Sequence, residues 1–154
     1  MQTPDSLNDV AEFHRTFNHP ILESPQLPDP KRRQFRINLL AEELKELEEA
    51  VNQEDLTEVA DALCDLQYVL AGAILEFGLG EKFKALFDEV QRSNLSKACT
   101  SEEEAKATVS HYVAKGQPCH YQLKDGKYLV YRDEDHKTLK SINYSPADIK
   151  SIVS

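Results

Sequence analysis

The 154-residue chain has no tryptophan, one methionine, five glycines and three cysteines. Nothing in it resembles the glycine-centred acidic loop of an EF-hand. Cys64, Cys99 and Cys119 form no C-x-x-C pair and are odd in number, so we interpret them as reduced thiols. The polar N-terminus has no apolar signal core, and no apolar run is long enough to span a bilayer. These absences predict a cytoplasmic protein.

Positive charge is also scarce, because no lysine or arginine occurs between Leu47 and Lys82. The formal net charge is −9, which disfavours non-specific nucleic-acid binding by lysine and arginine. We therefore expect neither a nucleic-acid nor a membrane partner. The length is sufficient for a single domain with a real hydrophobic core over residues 1–154.

Apolar residues recur with helical spacing over most of the chain. The pattern predicts a mainly α protein with helices near residues 4–17, 31–51, 55–77, 81–96 and 101–114. The third helix is apolar nearly all round and is predicted to be buried on several sides. Prolines at 20, 25, 28 and 30 predict an extended connection that lies against the body. Alternation around Asp125–Gly126 predicts a β-hairpin, so a helical core (4–115) is followed by a hairpin and tail (117–154).

Two pairs of acids stand at helical spacing on the second and third helices. Glu43 and Glu46 are three residues apart, as are Glu58 and Asp61, so each pair lies on one helix face. If the two helices form a hairpin, these acids converge on arcs that we expect to be buried. An ordinary solvated helix face is the alternative. Convergent carboxylates without a counter-charge would repel one another, and some would have to protonate.

A divalent cation resolves this repulsion. Oxygen-only ligands suit Mg²⁺, or alternatively Mn²⁺. A di-iron site requires Glu-x-x-His pairs, and none of the five histidines has a glutamate three residues before it. Mg²⁺ commonly binds substrate phosphates, which indicates phosphate-ester or phosphoanhydride chemistry. Asp65, one turn beyond Asp61, is left open as an outer ligand or as a partner of a basic residue elsewhere.

The order of the motifs resembles a known family. EELKE (42–46), EVAD (58–61) and SNLSK (93–97) are similar to the motifs of the all-α nucleoside triphosphate pyrophosphohydrolases. These include MazG, the dimeric dUTPases, the dCTP pyrophosphatases and phosphoribosyl-ATP pyrophosphohydrolase. The resemblance covers roughly residues 10–100 and is closest to the stand-alone MazG-like and phosphoribosyl-ATP-pyrophosphohydrolase-like proteins. It implies a four-to-five-helix bundle, to which this chain adds a small C-terminal hairpin.

The resemblance also implies an activity, the Mg²⁺-dependent cleavage of a nucleoside triphosphate to the monophosphate and pyrophosphate, with a homodimer or homotetramer as the assembly. Such proteins commonly remove unusual or excess nucleotides. The resemblance gives the metal-binding role to Glu43, Glu46, Glu58 and Asp61, and the catalytic role to Glu42 and Glu46. Substrate phosphates also require polar or basic partners, and the candidates in irregular or terminal segments are Lys97, Lys140 and Asn94. Phe17 and Tyr68 are candidates for stacking on a base. Aromatic residues at helical spacing are also ordinary core residues, which is the alternative for the last two.

Two other functions stay open from the sequence. The same fold can act on phosphoribosyl-ATP in histidine biosynthesis. A non-catalytic acidic helical protein, whose charged face recruits a partner, is the alternative from a different class. The sequence does not name the preferred base, the sugar or the physiological substrate.

Overall fold

The computed structural model describes residues 2–154, which form six α-helices and one two-stranded sheet. The helices are α1 (Ser6–Thr16), α2 (Pro30–Asn52), α3 (Leu56–Glu76), α4 (Phe83–Leu95), α5 (Glu102–Val113) and α6 (Ile149–Val153). A 3₁₀ turn (Gly80–Lys82) precedes α4, and the strands are β1 (Cys119–Lys124) and β2 (Lys127–Arg132). The mainly α fold with a C-terminal hairpin is confirmed.

Short polar side chains cap the helices at their first turns. Asp29 accepts hydrogen bonds from the backbone N–H groups of the first turn of α2, and Pro30 occupies the position where no donor is needed. Asp55 caps α3 and Ser101 caps α5 in the same way. These caps fix where each helix begins, and they hold the break between α2 and α3 to a few residues.

The chain divides into two compact units, Met1–Phe83 with Val153–Ser154, and Lys84–Ile152. That the two form a single domain stays a prediction. In the first unit α2 and α3 form a helical hairpin, and α1 packs on α3. The core of this unit lies where α1 meets the second half of α3, and its buried residues are Val10, Ala11, Ala71 and Leu75.

The proline-rich segment between α1 and α2 is extended and bound to the end of α3, as predicted. The N–H of Leu22 donates to the carbonyl of Leu75 (3.1 Å), and the N–H of Gln26 donates to that of Phe77 (3.1 Å). Gly78 has a positive φ of 67°, and a Cβ there would lie 1.9 Å from the carbonyl oxygen of Ser24. Only glycine allows the two backbones to approach so closely.

Helix α3 is buried only in part, so the prediction of burial on several sides is wrong over its first half. Residues 71–76 are buried, whereas Leu56, Leu63 and Leu70 are 79%, 50% and 41% exposed. The reason is that one chain supplies α1 and α2 as neighbours, and α1 reaches only the second half of α3. The apolar pattern identified positions that favour burial without identifying what covers them.

The second unit packs α5 against the hairpin. β1 and β2 pair in antiparallel register from Cys119–Arg132 to Lys124–Lys127. Asp125 and Gly126 both have positive φ (51° and 75°), which is the geometry of a two-residue hairpin turn. The buried core of this unit contains Cys99, Ala105, Cys119, Val130 and Leu139. All three cysteines are free thiols.

Within residues 2–154, no single helix is long and apolar enough to cross a membrane. The segments Leu56–Glu76 and Gly80–Leu95 pass the same test of length and composition only when taken together.

Candidate active site

An acidic cleft lies at the connected end of the α2–α3 hairpin. Its cavity of about 270 Å³ is lined by Glu46 and Glu49 from α2 and by Glu58 and Asp61 from α3, together with Ala50, Gln53 and Ala62. Three of the four residues predicted as metal ligands therefore share one cleft. They meet because the short connection folds the two helices back at a point between the two acid pairs.

Glu43, the fourth of these residues, lies one turn further along α2. Partial burial raises the pKa of the Glu43 carboxyl, and the nearby charges of Glu46, Asp65, Glu42 and Asp61 raise it further. Acids from both helices therefore act on one carboxyl, as the convergence of α2 and α3 at this cleft requires. Asp65 thus belongs to the same cluster and forms no ion pair within residues 2–154.

The expectation that these acids lie on buried arcs is wrong for most of them. Glu46, Glu58, Asp61 and Asp65 are exposed, and only Glu43 is partly buried. Two helices alone make a shallow cleft, so solvent reaches carboxylates that face the partner helix. The helical wheel identified correctly which acids face each other, but the depth of the cleft depends on what covers the hairpin.

The donor set suits a hard divalent cation. Its ligands are carboxylate oxygens, and Lys45 on α2 pairs with Glu49 (3.0 Å), whereas the predicted ligands form no ion pair within residues 2–154. Across residues 2–154, no group of three or more acids, histidines or cysteines stands in metal-binding geometry. The residues therefore fit a cation by chemistry and charge, while their side chains have not converged on one point.

A buried ion-pair cluster at the far end of the same hairpin was not foreseen from the sequence. Glu76 is fully buried and accepts two hydrogen bonds from Arg32 (2.6 and 2.5 Å) and one from Arg36 (2.5 Å). Burial opposes ionisation of Glu76, but the bonds from both arginines outweigh it and hold the pKa of this carboxyl below its ordinary value. Arg32 and Arg36 are thus engaged by Glu76.

A sequence signal for this cluster exists. Arg32 and Arg36 are four residues apart on one face of α2, and Glu76 is a lone acid in the apolar last turns of α3. A buried carboxylate requires a partner, and the basic residues at the start of α2 are candidates for that partner.

His14 also belongs to this cluster, and its two hydrogen bonds define its tautomer. Its Nδ1 lies 2.8 Å from the carbonyl oxygen of Pro20, and its Nε2 lies 3.0 Å from Nη2 of Arg36. A carbonyl only accepts and a guanidinium only donates, so the proton is on Nδ1 and Nε2 accepts. Burial, opposed by the bond to Pro20, lowers the pKa of His14, and the Arg36 charge lowers it further. The imidazole is therefore held neutral.

An aromatic pocket of about 200 Å³ adjoins this cluster. Its walls include Phe13, Phe35 and Tyr68, and its polar lining is His14, His19 and Arg36. Tyr68 meets the ring of Phe13 edge-on (5.6 Å between centroids). The two residues predicted to bind a base thus share one cluster, because Phe17 also contacts the Phe13 ring (4.5 Å). Their role as base-binding residues stays a prediction.

The predicted phosphate-binding residues belong to the second unit. Nζ of Lys97 donates to Oδ1 of Asn94 (2.7 Å), and the carbonyl of Lys97 accepts from the N–H of Ser141 (3.1 Å). Nζ of Lys140 lies over the ring of Tyr144, 4.3 Å from its centroid. Backbone pairing therefore brings the SNLSK segment beside the segment that carries Lys140. Binding of phosphate by these residues stays a prediction.

A helical hairpin with facing acid pairs is what the resemblance implies, and the comparison with family models places the chain in the class of all-α nucleoside triphosphate pyrophosphohydrolases related to MazG. Within that class, the family model for phosphoribosyl-ATP pyrophosphohydrolase matches residues 10–94, more than half of the chain, and the chain belongs to this family. The family implies a pyrophosphohydrolase activity, and proteins of this class typically use divalent metals.

A viral relative also matches. The chain is 34% identical over 92 residues to an uncharacterized protein of Acanthamoeba polyphaga mimivirus. The match covers 57% of this chain and 37% of that protein, so the chain spans little more than a third of the length of the curated relative it matches.

Proposed function

We propose that the chain is a Mg²⁺-dependent nucleoside triphosphate pyrophosphohydrolase that releases the monophosphate and pyrophosphate and cleans the nucleotide pool. The observation that carries this proposal is the acid cleft of the α2–α3 hairpin, where Glu46, Glu58 and Asp61 line one cavity and form no ion pair within residues 2–154. Membership of a pyrophosphohydrolase family supports the same reaction class.

The acids have separate roles in this proposal. Glu43, Glu46, Glu58 and Asp61 hold Mg²⁺, for which Mn²⁺ can substitute. When bound there, the cation would supply positive charge to the substrate phosphates and to the attacking water. Glu42 is exposed beside Glu43 and acts on its pKa. From that position Glu42 orients and deprotonates the attacking water, with Glu46 as the second catalytic carboxylate.

Product identity and two substitutions test the proposal. Incubation with each deoxynucleoside triphosphate and Mg²⁺ should release pyrophosphate and no orthophosphate. Glu46→Gln and Asp61→Asn should each lower kcat/KM by about 100-fold or more, with the helical circular-dichroism signal retained. Glu12→Gln, an exposed glutamate on α1, is the control and should leave kcat/KM unchanged. Full activity in both site variants would rule out this cleft.

The family match favours a second substrate, phosphoribosyl-ATP, because the matching model carries that name. Assaying nucleoside triphosphates and phosphoribosyl-ATP with the same protein preparation distinguishes the two proposed activities. A kcat/KM for phosphoribosyl-ATP well above that for every triphosphate would favour histidine biosynthesis. No turnover of either, with no thermal stabilisation by Mg²⁺ and nucleotide, would favour the non-catalytic acidic interaction protein.

We further propose that two copies of the chain associate through the exposed apolar surface of the hairpin. Leu44 and Val51 on α2 are 58% and 55% exposed, and Leu63 on α3 is 50% exposed. Exposed apolar side chains in series mark association surfaces. Sedimentation velocity should show a dimer or larger species that Leu44→Glu dissociates. Leu123→Glu, at an exposed leucine of β1, should leave the assembly unchanged.

A further inference from the structure

The aromatic pocket beside the buried ion-pair cluster has chemistry that the acid cleft does not use. Its volume of about 200 Å³ is below the range of drug-sized sites, so it suits one ring system and not a whole nucleotide. Phe13 and Tyr68 are 37% and 39% exposed, which leaves ring surface open to a flat ligand. Stacking on such rings is a general way to hold a base.

The pocket stands close to the acids. Tyr68 is one helical turn from Asp65 on α3, and Leu39 is one turn from Glu43 on α2. At 1.5 Å per residue, the separation along the hairpin is about 5–10 Å. A nucleotide could therefore place its base in the pocket and its phosphates at the acids, with the sugar between them.

The charged and imidazole groups of the pocket leave only donors for a ligand. Nη2 of Arg32 lies 3.4 Å from Nδ1 of His19, and an arginine cannot accept, so His19 carries its proton on Nε2. Nε of Arg36 also has no hydrogen-bond partner among residues 2–154, but it is buried and out of reach of a ligand, so the accessible donor is His19. Both oxygens of Glu76 and both nitrogens of His14 are already bonded within the cluster.

We propose that this pocket binds the base of the substrate and that its donor, the Nε2–H of His19, selects bases with a carbonyl oxygen at purine position 6 or pyrimidine position 4 over bases with an amino group there. An exocyclic amine would oppose donor to donor, whereas a carbonyl accepts from His19. The Tyr68 hydroxyl can donate or accept and does not discriminate. The inference rests on the proposed hydrolysis of nucleoside triphosphates.

Two matched substrate pairs test the selection in the full-length protein with Mg²⁺. dITP and dATP differ at purine position 6, and dUTP and dCTP differ at pyrimidine position 4. We expect kcat/KM to be about tenfold or more higher for the carbonyl member of each pair, since one mismatched hydrogen bond has about that effect. Equal rates within both pairs, or a preference for dATP and dCTP, would overturn the inference and leave the hydrolase proposal standing.

Variants assign the effect to the pocket. His19→Phe keeps a ring against Phe13, whose ring stacks on His19 at 5.8 Å, but removes the donor. We expect the ratio of dITP to dATP rates to fall to within about threefold. His111→Phe, at an exposed histidine of α5, should keep the full ratio. Tyr68→Ala should raise KM for all four nucleotides by about tenfold through lost stacking. An unchanged ratio in His19→Phe would contradict the assignment.

A binding measurement separates failure of the inference from failure of the hydrolase proposal. Calorimetric titration with dIMP and dAMP needs no catalysis. If no triphosphate is turned over but dIMP binds about tenfold more tightly than dAMP, the pocket assignment holds and the hydrolase proposal fails. If neither binds, or both bind equally, the pocket assignment is wrong.

Discussion

The two ends of the α2–α3 hairpin present acids in opposite surroundings. At one end, Glu76 is fully buried and bonded to Arg32 and Arg36. At the other, Glu46 and Asp61 are exposed, face further carboxylates and form no ion pair within residues 2–154. Both ends of the hairpin carry acids. The charge of Glu76 is balanced by two arginines, whereas the charges of Glu46 and Asp61 have no such partner within residues 2–154.

This difference separates structure from function. A buried carboxylate that is paired with arginines contributes to folding, because removing it leaves charges without partners. A cluster of unpaired carboxylates contributes repulsion unless a cation binds. The end with Glu76 thus holds the hairpin against α1, through the contact between Arg36 and His14. The end with the acid cleft is available to bind a cation.

The largest expected effect is loss of stability on removing the partnered charge. Glu76→Gln leaves Arg32 and Arg36 without their carboxylate, and we expect the free energy of unfolding to fall by about 3–5 kcal/mol. Urea unfolding followed by circular dichroism measures the change. Glu46→Gln is the matched control and should leave metal-free stability equal or higher, since it removes repulsion. A Glu76→Gln variant as stable as Glu46→Gln would contradict the conclusion that the two ends of the hairpin differ in their contribution to folding.

Divalent cations should stabilise the other end. With Mg²⁺ at about 100 times its dissociation constant, the folded state should gain about 2.7 kcal/mol, seen as a higher urea midpoint. Glu46→Gln combined with Asp61→Asn should abolish this gain. Glu48→Gln combined with Asp88→Asn, at exposed acids away from the cleft, should keep it. A gain that survives in the first double variant would place the cation elsewhere.

The pH dependence of stability should report the neutral state of His14. Its folded pKa is lowered by burial and by Arg36, so the unfolded chain binds more protons as the pH falls. Stability is therefore complete above about pH 6.5, the ordinary value, and decreases as the pH falls through the window between that value and the lowered one. The slope in that window is at most about 1.4 kcal/mol per pH unit.

Two histidine variants isolate this slope. His14→Gln should flatten the curve of unfolding free energy against pH between 6.5 and the acid limb, while His111→Gln should keep it. The low pKa of Glu76 contributes a further loss of stability, in the same direction, at lower pH. A slope that is identical in both variants would show that His14 titrates normally.

The smallest effect is expected at the ion pair that borders the acid cleft. Lys45 and Glu49 form an i,i+4 pair (3.0 Å), but their side chains are 75% and 56% exposed. Such pairs contribute little to stability. Lys45→Gln should shift the urea midpoint by less than the scatter between repeats, in contrast to Glu76→Gln. A shift comparable to that of Glu76→Gln would mean that exposure does not distinguish the two ends.

Much of the fold can be predicted from the sequence, because the sequence signals that determine it are local. Caps such as Asp55 and Ser101, helical periodicity and the Asp125–Gly126 turn depend on residues a few positions apart. The acid pairs also face each other for a local reason. Each pair lies on one helix face, and the short break between α2 and α3 folds those faces together. The exposure of Leu63 and Asp61 does not follow, because exposure depends on what covers the hairpin.

By itself, the sequence determined the helices, the hairpin and the stretch from Glu48 to Glu81 in which no basic residue accompanies the acids. Only the tertiary structure decided which acid is neutralised. Arg32 and Arg36 reach Glu76 from 44 and 40 residues away, a pairing that exists only when α2 folds back on α3. Helical spacing acts over one or two turns, whereas burial and ion pairing depend on distant segments that the fold brings together.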